Sequence, residues 1–189
     1  MTLASEILRQ LRQERDFNAS SCASKKARMI NDHFKICGLD SVVVGVSGGV
    51  DSYVTMALLC FASSLPESPI RKVVGLSIPF EKSSGATGQS EAERKAELGF
   101  RKIQVLYPGV AELWHVPGDE ALQHAHQSLL SGATRINPEY THSAWSEGQM
   151  LSIMRTPIFY GAAALLQANG FRSVVAGTTN RDEGAFIGF

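Results

Sequence analysis

The sequence predicts an α/β fold, a doubly wound and mostly parallel sheet with helices flanking both faces. Three observations carry this. The apolar runs VVV at 42–44, KVVGLSI at 72–78 and SVVA at 173–176 are continuous rather than alternating, as strands covered on both faces are. Helical stretches separate such runs, and strand–helix–strand alternation calls for parallel pairing with right-handed crossovers. Finally, 189 residues with 44% hydrophobic and 19% charged content suit a globular chain with a sizeable core.

Taken in order, Leu3, Ile7, Leu8 and Leu11 follow helical spacing and predict a surface helix or a dimer-forming arm. Asn18-Ala-Ser-Ser interrupts it, and a second helix is expected from about Ser24 to Cys37, ended by Gly38. Residues 1–38 thus form an N-terminal helical region, and 39–189 the main domain. The first strand, a glycine loop and a helix to about Ser64 follow, with Pro66 and Pro69 in the next loop. Lys72 to Ile78 is the second strand, halted by Pro79-Phe80, and Glu81 to Gly88 is a polar loop. The spacing next predicts a helix over Gln89–Leu98 ended by Gly99, and a third strand over Lys102–Leu106. A helix is expected from Gly118 to Leu130. The stretch Ser131–Trp145, rich in turn formers and aromatics, reads as a lid or partner contact. Met150–Ala168 reads as a helix with Pro157 at an early turn or kink; Asn169-Gly170 closes it before the strand Ser173–Ala176.

Composition excludes several classes. Lysine plus arginine equals aspartate plus glutamate at 18 each, so no bulk basic field argues for a nucleic-acid partner. No apolar stretch reaches membrane-spanning length, and the charged, amphipathic N-terminus lacks a signal-peptide core. Cys22, Cys37 and Cys60 are odd in number and lack Cys-x-x-Cys spacing, which argues against a disulfide framework or zinc ribbon and for a reducing cytoplasm. Cys60, in an apolar helical run, reads as a small core residue. His124 and His126, two apart on a helix, diverge and would not share a metal.

The chemistry is concentrated in Val42–Ser52, VVVGVSGGVDS. A strand that stops at glycines and restarts as a helix leaves unpaired N–H groups at the positive end of the helix dipole, which is an anion site. Gly48 and Gly49 let a phosphate approach the backbone, and the Ser47 and Ser52 hydroxyls add donors. Asp51 would repel a phosphate unless a cation sat between them, so the loop predicts a metal-bound polyphosphate. It is not a Walker A loop, having no lysine, nor a dinucleotide fingerprint, since Ser47 occupies the place of the second glycine. An ordinary glycine turn is the competing reading.

A second constellation, Gly177-Thr178-Thr179-Asn180-Arg181-Asp182-Glu183, also follows a buried strand. Ligands of open α/β sheets bind beyond the carboxyl ends of strands, so both loops could face one crevice. Gly177 would permit close approach, Thr178 could donate to phosphate or adenylate, and Glu183 could share a metal with Asp51. Hard oxygen ligands of this kind suit Mg²⁺. Alone, the segment would pass for a polar turn.

Ser47-Gly48-Gly49-Val50-Asp51-Ser52 resembles the PP-loop of the ATP pyrophosphatases. With Gly177–Glu183, Ile78-Pro79-Phe80 and the helix carrying Glu147, Gly148, Arg155 and Tyr160, the chain from about Asp40 to Phe189 resembles the ammonia-dependent NAD synthetases. The resemblance implies a Rossmann-like fold of the adenine nucleotide alpha hydrolase type and a two-step reaction. The carboxylate of deamido-NAD attacks the α-phosphorus of ATP, releasing pyrophosphate, and ammonia then displaces AMP. It implies ATP and pyrophosphate contacts from Gly45, Val46, Ser47, Gly48, Gly49, Val50, Asp51, Ser52, Ile78 and Thr178. Catalytic roles fall to Asp51, Ser47 and Thr178, Mg²⁺ ligation to Asp51 and Glu183, and substrate binding to Arg155. A homodimer is implied too, with ammonia taken from solution or from a separate amidotransferase.

Two departures from the family pattern qualify the expectation. The helix before the second motif usually carries two arginines two residues apart; Arg155 fits the second, but Ile153 stands at the first. The sequence also stops at Phe189, where family members continue with a lysine- and aspartate-rich loop. An amide ligase for another carboxylic acid, or a truncated nucleotide-binding homologue without turnover, are the alternatives.

Overall fold

A computed structural model describes residues 3–14, 17–80 and 87–179. The elements are α1 (Leu3–Glu14), α2 (Ala19–Cys37), β1 (Ser41–Gly45), α3 (Val50–Ser63), β2 (Lys72–Ser77), α4 (Thr87–Leu106), β3 (Ala111–His115), α5 (Asp119–Thr134), α6 (Ala144–Ala168) and β4 (Ser173–Ala176). The four strands form one parallel sheet in the order β3-β2-β1-β4. Chain order runs outward from β1 through β2 to β3, then returns to the other side of β1. The order in which strands are added therefore reverses between β1 and β4, where open α/β sheets form their binding crevice.

Alternate strand residues serve opposite faces, and each face has its own core. Val42, Val44 and Val73 pack with Phe34 of α2, Met56 and Leu59 of α3, and Phe100 and Ile103 of α4. Val43, Val74 and Leu76 pack on the other side with Leu122 of α5 and Ala162 and Leu166 of α6. The fold is α/β and doubly wound, as the continuous apolar runs imply. Cys60 is fully buried in the first core, and burial pushes its thiol up to about 12. At the opposite end of the sheet from the glycine loop, Asp40 ties three strands together: its carboxylate accepts from Arg172 N–H at 2.7 Å and its carbonyl from Arg71 N–H at 2.7 Å. Among the described residues no helix is long and apolar enough to cross a membrane.

The structure corrects three boundaries. Helix α2 begins at Ala19, not Ser24, because Asn18 caps it by accepting from Ser21 N–H at 2.8 Å. Helix α5 runs on to Thr134. Helix α6 begins at Ala144, where Ser143 and Ser146 form a reciprocal capping box, so Pro157 lies in mid-helix and cannot donate to the Ile153 carbonyl.

The largest correction is the third strand. Residues 102–106 are the end of α4, and β3 lies at Ala111–His115. Ala96, Phe100 and Ile103 are buried at helical spacing, while Val105 and Leu106 are 80% and 70% exposed. Gly99 does not end the helix. The ring of Tyr53 from α3 packs where a Cβ at position 99 would be, as close as 2.1 Å, and the Tyr53 hydroxyl donates to the Lys95 carbonyl. A short apolar run such as KIQVL fits either period, and the AELWH of β3 lacks the β-branched residues that mark strands.

Candidate active site

The glycine loop leaves β1 as its strand-to-helix position demands. Val46 N–H donates to the Leu76 carbonyl at 2.9 Å, holding the loop against β2. Gly48 then turns at φ 82°, a left-handed conformation that favours glycine. Gly49 precedes α3 with no side-chain capping bond, so the first-turn N–H groups keep no intrahelical partner. Ser47 Oγ accepts from Gly49 N–H at 3.3 Å. Asp51 stands exposed in the first turn of α3, where the helix dipole favours a carboxylate. Val50 is 70% exposed. Ser52 is buried instead, its hydroxyl donating to the Gly49 carbonyl at 2.8 Å, so it braces the loop from inside.

A cavity of about 390 Å³ opens beside this loop. It brings together Gly45 at the end of β1, Val46 and Ser47 just after it, Ile78 after β2, Thr178 after β4 and Arg155 of α6. These residues come from four places in the chain and meet where the strand order reverses. Gly177 lies between β4 and Thr178. Glu183, the second expected carboxylate, lies outside the described residues.

Sequence reasoning missed two aromatic residues of the site. Phe159 lines the cavity and packs so closely on Gly45 that a Cβ there would sit 2.8 Å from the ring. Its spacing of four from Arg155 places both on one helix face, a signal that was legible. Phe80, fully buried beyond β2, lies under the Arg155 guanidinium at 5.1 Å from ring centroid to Cζ. Burial holds Arg155 below the usual arginine range, and among the described residues no carboxylate pairs with it. Ile153, two residues away, is 60% exposed.

Among the described residues no group of three or more His, Cys, Asp or Glu could hold a metal ion. His126 and His142 do approach, with ring centroids 4.6 Å apart, and His142 Nε2 lies 3.2 Å from the His126 carbonyl. That contact ties α5 to the segment just before α6.

The start of α3 carries no side-chain cap, and Arg155, without a carboxylate partner among the described residues, lines the cavity beside the loop; both features favour anions. The family model described as NAD synthase matches residues 22–189.

The chain belongs to the NAD synthase family.

It is 29% identical over 149 residues to an NH(3)-dependent NAD(+) synthetase from Methanoregula boonei, covering 78% of this chain and 47% of that protein. The chain thus spans about half the length of the curated relative it matches. In fold it is similar to an NMN synthetase from Francisella tularensis (TM-score 0.69, 17% identity, 92% of this chain and 59% of the other). It is also similar to an NAD+ synthetase from Burkholderia pseudomallei (TM-score 0.63, 21% identity, 89% and 65%).

Proposed function

We propose that this chain carries the ATP-binding and adenylating site of an amide-forming ligase that converts deamido-NAD and ammonia to NAD. The observation that carries the reading is the meeting of Ser47, Ile78, Thr178 and Arg155 around one cavity at the reversal of strand order, in a chain of the NAD synthase family. The apolar wall of Ile78, Pro79 and Phe159 suits a nucleobase or pyridine ring. The uncapped start of α3 suits the pyrophosphate that must leave, because preorganised N–H donors stabilise charge as it develops. Thr178 offers a hydroxyl to the α-phosphate, and Arg155 takes an anionic group of the acid. Little covalent work falls to the protein, so positioning and electrostatics dominate.

The donor set fits Mg²⁺, which binds through one or two carboxylates plus substrate phosphates rather than through an all-protein cage. Asp51 is exposed in the first turn of α3 and would hold it, with Glu183 as the proposed second carboxylate. When bound, the ion neutralises phosphate charge on the leaving group.

We further propose a homodimer in the cytoplasm, fed by free ammonia or by a separate amidotransferase. Ile153 favours a second reading, the same adenylation chemistry on a different carboxylic acid. Position 153 is apolar and exposed, so it offers no cation to a distant phosphate. A similarly folded protein named as an NMN synthetase makes a mononucleotide acid the first alternative to try.

The test is pyrophosphate release from ATP with Mg²⁺ and ammonium, in the presence of deamido-NAD or of nicotinic acid mononucleotide. Release that depends on deamido-NAD is the expected result, and release with the mononucleotide alone would select the second reading. ATP binding without release under either condition would overturn both. Asp51→Asn should abolish release while leaving the fold intact, and Glu183→Gln should act similarly; unchanged rates would remove the proposed metal ligands.

A further inference from the structure

A half-buried arginine without an acidic partner among the described residues needs an explanation, because an unpaired charge is costly to take from water. Arg155 has one recorded partner among the described residues, the ring of Phe80. A cation on an aromatic face is stabilised by the ring quadrupole. Unlike a salt bridge, that contact leaves the charge unneutralised and the five N–H donors free. An aspartate in its place would orient the arginine but would also compete with any anionic ligand.

The ring itself is firmly seated. Phe80 follows Pro79, whose carbonyl accepts from Gly118 N–H at 3.1 Å. A Cβ on Gly118 would come within 2.4 Å of the Phe80 ring, so the absence of a side chain at 118 leaves the space this ring fills. Val116 N–H also donates to the Ser77 carbonyl at 2.9 Å, tying the segment after β3 to the end of β2. The platform therefore rests on the β2 and β3 connections, while the guanidinium it carries comes from α6 on a different part of the chain.

We propose that Phe80 is a positioning residue of the site, with Gly118 as its seat. Its ring holds the Arg155 guanidinium over the cavity, charged and with its donors unspent, to receive an anion bearing two oxygens. This rests on the proposed role of Arg155 as an anion-binding residue. The anion is either a phosphate of the nucleotide or the carboxylate of the acid.

A double-mutant cycle on the full chain tests it, with dissociation constants read by calorimetry for two probes, ADP and deamido-NAD. Phe80→Leu should weaken binding of the probe that Arg155 grips by about 3- to 10-fold, the scale of a partly desolvated cation–π contact. In an Arg155→Met background the same substitution should change that constant by less than about twofold, since coupled residues are non-additive. Coupling with ADP assigns a phosphate of the nucleotide, and coupling with deamido-NAD that is lost with NAD, which carries an amide in place of the carboxylate, assigns the acid. Equal losses in both backgrounds would overturn the positioning role and leave Phe80 a core residue only.

The unmutated chain supplies a second reading should Phe80→Leu fail to fold. A guanidinium over a ring face has its Nε–H proton resonance shifted upfield by the ring current. An Arg155 Nε–H at its ordinary position would overturn the proposal. Failure of both probes to bind would count against the proposed function, while this resonance still decides whether the platform exists.

Discussion

Replacing Gly99 by alanine sets two opposing effects against each other. In an ordinary helix interior, glycine to alanine stabilises by about 0.5–1 kcal/mol, because glycine loses more backbone freedom on folding. Here the added Cβ would lie 2.1 Å and 2.2 Å from two ring carbons of Tyr53 and 2.6 Å from its hydroxyl. These are rigid ring atoms on a neighbouring helix, so a rotamer change at position 99 cannot relieve them. Either α3 and α4 separate, at the roughly 1–3 kcal/mol typical of overpacking, or the ring swings out and gives up its hydrogen bond to the Lys95 carbonyl, worth about 1 kcal/mol. The clash exceeds the propensity gain, so a net loss of about 1–2 kcal/mol is expected. For a chain of this size that lowers Tm by about 2–8 °C. Thermal unfolding followed by circular dichroism measures it, with Gly99→Ala/Tyr53→Ala as the partner variant. In the double variant the ring is gone, and alanine at 99 should cost nothing or stabilise relative to Tyr53→Ala alone. A Gly99→Ala chain that melts higher than its parent would refute the packing of Tyr53 on Gly99. It would also reopen the reading of 102–106 as a strand.

Two further predictions concern Gly45 and Glu112. At Gly45→Ala the new Cβ would meet Phe159 at 2.8 Å; because that ring is a cavity wall, the variant should weaken ADP binding and lose about 1–3 kcal/mol of stability. Unaltered calorimetric affinity and an unaltered urea midpoint would show that the two do not pack. Glu112 accepts hydrogen bonds from Lys72 and Trp114, and the Lys72 bond above all holds its carboxyl below the usual range against an opposing effect of burial. A carboxyl lowered in the folded state stabilises above its ordinary pKa, and that stability is lost as pH falls through the lowered value. Wild type should therefore exceed Glu112→Gln in urea stability at pH 7, and the gap should close in acid; a gap that persists in acid would refute the ionic origin.

The sheet was legible where its residues said one thing. The VVV and SVVA runs are β-branched, short and bounded by glycine, and both became neighbouring strands in register, with Val42–Val44 beside Val174–Ala176. The helix over KIQVL was not legible, because its strand-like composition is outvoted by a stripe, Ala96, Phe100 and Ile103, that only the packing on α3 and the sheet reveals. The glycine loop announced itself through its residue types. The meeting of Ser47 with Thr178 also followed from strand ends, once both strands were placed. Phe80 and Phe159 escaped because an aromatic residue reads as core in any sequence. Their part at the site depends on which glycines, 45 and 118, stand opposite them in space.

The place of β4 beside β1 has a consequence for how the chain comes to be folded. The bond from Arg172 N–H to Asp40 joins residues 132 apart, and closing so long a loop costs roughly 4 kcal/mol beyond a constant term. Strands β1 to β3 are complete in the first 115 residues, so during synthesis β1 waits with one unpaired edge while α5 and α6 are still being made. That edge is made of valines, the kind of surface on which partly made chains associate. A molecule bridging the Ser47 and Thr178 lips would bind the closed arrangement and not the open one. Nucleotide supplied during refolding should therefore raise the yield of soluble protein, by shortening the time the strand that carries the phosphate loop spends as the sheet's exposed margin.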